Sequence, residues 1–213
     1  MPDLIEAHLK PQELSLWQSL NSPAKIQAFL DETPYSPEYI YRSPLSVIRD
    51  HLAHCMDGSL FAAAALRRLG YPPLIVDMLP DPGVDDDHIL AIYKVEGYFG
   101  AVAKSNFSGL RFREPIYHTL RELILSYFED FYNLNGIKSL RYYTRPLNLL
   151  SCDNLNWEWD DSKLKGIETR LNQLKPIPIL SGTMASNLQV MDSLSYRAGM
   201  VGTNLDGVYK PKG

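Results

Sequence analysis

The chain has 213 residues, 45% of them apolar and 22% charged, with a formal net charge of −4. That balance fits a globular domain with room for one sizeable core, and the negative sign argues against a nucleic-acid partner. No stretch approaches the roughly 20 unbroken apolar residues of a membrane helix. The opening Met1-Pro2-Asp3-Leu4-Ile5-Glu6 lacks the cationic-then-apolar pattern of a signal peptide. Two cysteines, Cys55 and Cys152, cannot make a disulfide framework. The expected setting is reduced and cytoplasmic, with no membrane partner.

Residues 1 to 50 are divided by Pro11, Pro23, Pro34, Pro37 and Pro44. Ser22-Pro23 reads as a helix cap followed by Pro at the first helical position. Ile26, Phe29 and Leu30 then share one face, so a helix is expected over 23–31. A second short helix is expected over 44–52. Residues 55 to 69 hold four consecutive alanines with Leu60, Phe61, Leu66 and Leu69, leaving almost no polar face before Arg67. Such a helix belongs in the middle of a core. Gly70 suits the left-handed cap, and Pro72-Pro73 stop the helix.

Three strand-like runs follow, Leu74 to Leu79, His88 to Val95 and Tyr98 to Lys104. An acidic loop, Asp81 to Asp87, separates the first two. Glu96-Gly97 predicts a tight hairpin between the second and third. Beyond them, Leu120 to Tyr132 and Asp161 to Leu174 carry apolar residues at helical spacing. Residues 1–175 are expected to form one domain, with a core at about 45–115. The segment 176–213, rich in Gly, Ser, Asn and Pro, reads as an irregular tail that could fold over a cleft.

The residues that could carry chemistry lie at the ends of these elements. Cys55 opens the alanine-rich helix, where unpaired backbone N–H groups and the dipole favour a thiolate. His88 opens the second strand. An imidazolium beside the thiolate would make the ion pair of a cysteine hydrolase. A third group must orient that ring. A two-residue turn sets His88 opposite Ser105, and one extra residue or a bulge would bring up Asn106, whose carbonyl is the better acceptor.

Cys55-Met56-Asp57-Gly58-Ser59, with its Ala/Leu helix ending Leu69-Gly70-Tyr71, resembles the nucleophile helix of the transglutaminase-like superfamily. Asp87-His88-Ile89-Leu90-Ala91-Ile92-Tyr93 matches the family's His strand, and Tyr98 to Asn106 its third-residue strand. The resemblance covers about residues 45–115. It departs from the family in having Ile89 and Leu90 where an aromatic follows the His, and in lacking the Asp, for which Asn106 would stand. It implies an α+β fold: a papain-like, transglutaminase-like core with a buried nucleophile helix packed on an antiparallel sheet, plus N- and C-terminal helical extensions. It also implies acyl transfer, or amide or peptide hydrolysis, through a thioester at Cys55. His88 would shuttle the proton, Asn106 would orient it, and no cofactor or metal is called for. The partner would be a peptide, amide or other acyl substrate.

Two other readings compete. The same fold could serve as a catalytically inactive binding module. Alternatively His51, His54 and Cys55, with Asp85, Asp86, Asp87 and His88, could bind zinc, although their spacing matches no common structural site. The acidic run would otherwise be a solvated loop, or raise the His88 pKa. Arg111 and Arg113 could form a cationic substrate wall or simply a surface strand. Gln27 and Tyr35 are weak candidates for oxyanion donors beside the Cys55 backbone N–H. Cys152 has no polar partner set and reads as structural.

Overall fold

The computed structural model describes residues 4–210. The first three and last three residues, at the ends of the opening stretch and of the tail, lie outside the described residues. After a 3-10 turn at Ile5–His8 come α1 (Pro11–Ser19), α2 (Pro23–Glu32), α3 (Pro44–Asp50) and α4 (Cys55–Arg68). Strands β1 (Leu74–Pro80), β2 (His88–Val95), β3 (Tyr98–Val102) and β4 (Arg113–Tyr117) follow. Then come α5 (Leu120–Leu125), β5 (Leu140–Tyr143), β6 (Leu147–Asn148), α6 (Lys165–Asn172), β7 (Ile177–Pro178), α7 (Gly182–Ser186) and α8 (Ser193–Gly199). The fold is α+β, with a buried helix on an antiparallel sheet. Among the described residues no helix is long and apolar enough to cross a membrane.

The sheet runs β4-β3-β2-β1-β5-β7, with β6 also paired to β1. Its centre is the hairpin β2–β3, in register from Val95 opposite Tyr98 to Ala91 opposite Val102. The turn works because Glu96 and Gly97 both take positive φ, 51° and 88°, which the tight hairpin turn requires.

Both faces of the sheet are covered. Ile89, Ala91 and Tyr93 of β2 pack with Ile75, Val102 and the apolar body of α4. Leu90 and Ile92 point the other way, into Val76, Met78, Leu123, Ile124 and Tyr127. That double burial follows from strand alternation in a run that is apolar at every position from Ile89 to Tyr93.

The alanines let α4 sit close on the sheet. A Cβ on Gly58 would lie 2.2 Å from Lys104 Cβ, so glycine is required there. Ser59 Oγ lies 2.6 Å from Cys55 O and 2.9 Å from Ile89 O, tying the head of α4 to β2. Gln27 fixes α2 beside β3 by exchanging two 3.0 Å bonds with the Ala103 backbone. The Lys104 ammonium donates to Leu30 O and Thr33 O at the end of α2. Its burial pushes its pKa down to about 8. These tasks take Gln27 away from any oxyanion role.

The expected helix over 120–132 shortens to α5 plus a single 3-10 turn at Phe128–Asp130. The tail departs further from expectation. It holds β7, α7, α8 and a 3-10 turn at Leu205–Gly207, and its end lies across the head of α4. Asn106 pins it there. The Asn106 amide donates to Asn204 O at 2.8 Å and Gly207 O at 3.1 Å, and its carbonyl accepts from Asn204 N at 2.8 Å.

Candidate functional site

The head of α4 is held by a reciprocal cap. His54 precedes the helix, and its Nδ1 accepts from the N–H groups of Met56 (3.1 Å) and Asp57 (3.4 Å). Asp57 answers by accepting from His54 N at 3.1 Å. This is a capping box with an imidazole in place of a hydroxyl. Asp57 also accepts from Arg42 N at 2.7 Å, and the Arg42 guanidinium reaches Glu38, Asp50 and Ser36. Segment 36–43 is thereby strapped over the start of α4. Burial pushes His54 down to about 4 and Asp57 up to about 7, so the cap works with a neutral ring.

Cys55 follows the cap and lies on the wall of a cavity of about 270 Å³. Its other walls come from Tyr35 and Tyr41, from Asp77 on β1, from Asp86 and Asp87, from Glu168 on α6, and from Asp206, Gly207 and Tyr209 of the tail. Asp77 shares the α4 face of β1 with Ile75. The thiol therefore faces carboxylates. Burial raises its pKa well above the usual thiol value. The charges of Asp87, Asp86 and Asp77 add to that, against one backbone contact at Ile89 that lowers it.

His88 does not join Cys55. It alternates with Ile89 and so belongs to the Leu90 and Ile92 face of the sheet. There its Nε2–H donates to Leu110 O at 2.8 Å, which leaves Nδ1 unprotonated. It borders a smaller cavity of about 40 Å³ with Ser105, Asn106 and Leu110, and that cavity shares Tyr35, Asp86, Asp87, Gly207 and Tyr209 with the one Cys55 lines. Burial pushes the ring down to about 4. The acidic loop does not raise it: burial dominates, and the charge of Arg113 lowers it further.

Asn106 does not orient His88 either. The hairpin carries no bulge, so its register runs on toward Ser105 opposite His88, and Asn106 is spent on the tail. The Ser105 hydroxyl accepts from Phe107 N at 3.0 Å. His88 and Asn106 thus line one small cavity and Cys55 its larger neighbour, with the His88 ring bonded to Leu110 and the Asn106 side chain to the tail.

The zinc reading is corrected as well. His51 is exposed at the end of α3, with its ring against Phe29, and His54 is occupied as the cap. Among the described residues, no three His, Cys, Asp or Glu side chains converge to hold a metal. Arg111 pairs with Asp31, and Arg113 with Asp130 over the Tyr127 ring, so neither walls the Cys55 cavity. Cys152 is fully buried.

Two features escaped the sequence reading. Asp77 left a visible signal, a lone carboxylate in the apolar run Leu74-Ile75-Val76-Asp77-Met78-Leu79. Tyr209 left none, because nothing local says where a tail will dock.

No protein-family model matches the chain, and no curated protein does. Among solved structures it is similar to Legionella pneumophila LapG, with a TM-score of 0.41 and 13% identity, over 78% of this chain and 90% of that one. The EGTA-treated form of LapG gives a TM-score of 0.40 at 13% identity, over 78% and 91% of the two chains.

Proposed function

We propose that the chain is a ligand-binding module of transglutaminase-like design, in which Cys55 is a neutral wall of the pocket and not a nucleophile. One observation supports this reading: Asp77, Asp86 and Asp87 line the Cys55 cavity, while His88 lies outside its walls with its ring committed to Leu110 O. A cysteine hydrolase needs a base within hydrogen-bond reach of sulfur. Carboxylates in that place oppose thiolate formation.

Acyl transfer through a thioester at Cys55 is the second reading. It is favoured by the position of the thiol, at a helix start and on the wall of an open cavity. Iodoacetamide labelling near pH 6 separates the two. The binding module predicts that Cys55 and Cys152 both label slowly, without the burst of a preformed thiolate. Rapid, selective labelling of Cys55 would favour acyl transfer and overturn the module.

A further inference from the structure

Asp77 is 2% exposed, yet its Oδ1 has no hydrogen-bond partner. The backbone around it is satisfied, since Asp77 N donates to Thr144 Oγ1 at 3.1 Å and Thr144 N donates to Asp77 O at 2.9 Å. The orphan is therefore the side chain alone, and it stands on the wall of the Cys55 cavity. Burial, with Asp87 and Asp86 beside it, raises its pKa well above the ordinary carboxylate value, and a buried carboxyl oxygen without a partner calls for a missing donor.

The surroundings specify that donor. Asp86 and Asp87 add two carboxyl groups to the same wall, their pKa raised by burial and that of Asp87 to about 7, and among the described residues that line the cavity there is no Lys or Arg. Arg42, just outside, is already engaged with Glu38, Asp50 and Asp57. The carboxylates stand around the wall without converging as metal ligands. The same cavity is lined by Tyr35, Tyr41 and Tyr209. Carboxylates on several sides suit a flat cation with several fixed donors, and tyrosine faces suit its stacking. A cavity of about 270 Å³ has room for one amino-acid-sized group.

We infer that this cavity takes a guanidinium group, hydrogen-bonded to Asp77 and Asp87 and stacked among Tyr35, Tyr41 and Tyr209. The inference rests on the binding-module reading and names its ligand class. An arginine side chain in a peptide and a free small guanidine share this chemistry.

Calorimetric titration of the full chain with butylguanidinium tests it. Saturable one-to-one binding is expected, about tenfold or more tighter than n-butylammonium, with n-butanol giving no saturable heat. Asp77→Asn and Asp87→Asn should each weaken binding about tenfold or more, with folding of both checked by circular dichroism. A parallel titration with N-acetylarginine amide identifies the source. Tighter binding than butylguanidinium assigns the site to a peptide arginine, and weaker binding to a free guanidine. Absence of saturable binding would overturn the inference. So would equal affinity for the alcohol or the ammonium, unchanged affinity in both variants, or calcium ions occupying the site in place of butylguanidinium. Heat of binding and thiol labelling are separate readouts. A sluggish thiol with no guanidinium binding overturns this inference alone, and a fast thiol overturns the parent reading whatever the heats show.

Discussion

Arg67→Met should destabilise the fold by about 3–5 kcal/mol, the cost of stranding a buried charge by removing its partner. Arg67 lies in the last turn of α4, where a cation also suits the helix dipole. Its guanidinium meets Asp153 with two bonds, at 2.8 and 2.9 Å, and Glu158 with one at 2.9 Å. Glu158 is 3% exposed and also accepts from Ile5 N at 3.0 Å. Asp153 accepts from Trp157 Nε1 at 3.2 Å. One side chain thus joins the N-terminal arm, the central helix and the segment before α6. Without it Glu158 would remain buried with no counter-charge, in a place where burial already raises its pKa. Urea unfolding of R67M checks the loss. The double variant R67M/E158Q should lose less than R67M alone, since it buries no unpaired carboxylate. A loss under about 1 kcal/mol in R67M would make the cluster an ordinary surface pairing.

The second large effect is acid lability centred on His88. Its folded pKa is pushed down to about 4 from an ordinary 6.5. As pH falls below 6.5 the unfolded chain takes up the proton first, so stability is lost between about pH 6.5 and 4 and is unaffected above that window. The full shift corresponds to about 3 kcal/mol. His54, also near 4, titrates in the same direction. Asp57, raised to about 7, works the opposite way. It stabilises the fold below the ordinary carboxylate range and loses that contribution as pH rises toward 7. A difference measurement removes these shared contributions. His88→Gln keeps a donor for Leu110 O without a titrating ring. Its stability relative to the parent should therefore improve by about 3 kcal/mol between pH 7 and pH 4, read from urea midpoints at each pH. Parallel pH profiles for the two proteins would show that His88 is not held neutral in the core.

The parts of the fold governed by local rules were legible in the sequence. Four alanines flanked by leucines mark α4, Ser22-Pro23 marks the start of α2, and Glu96-Gly97 sets the hairpin with Val95 opposite Tyr98. Cys55 was placed at the head of a buried helix, where it is. The face that His88 takes was not legible. Strand β2 is buried on both sides, so its side chains carry no inside-outside alternation from which to read phase, and one residue of phase moves a side chain to the other face. Asp87, by the same count, turns toward the thiol. Strand β5 is not legible locally because its partners Met78, Leu79 and Pro80 lie far earlier in the chain. Composition says nothing of where the tail docks, which is fixed by distant partners such as the Asn106 side chain and Leu134 O.

The most direct measurement is a spectrophotometric titration of the thiolate in a Cys152→Ser protein, following its ultraviolet absorbance from pH 4 to pH 11. Carboxylates around Cys55, with His88 on the far face, predict no thiolate through neutrality and an ionisation well above the ordinary thiol range. A thiolate already present at pH 6 would mean that an imidazolium lies beside the sulfur, and would contradict the arrangement described.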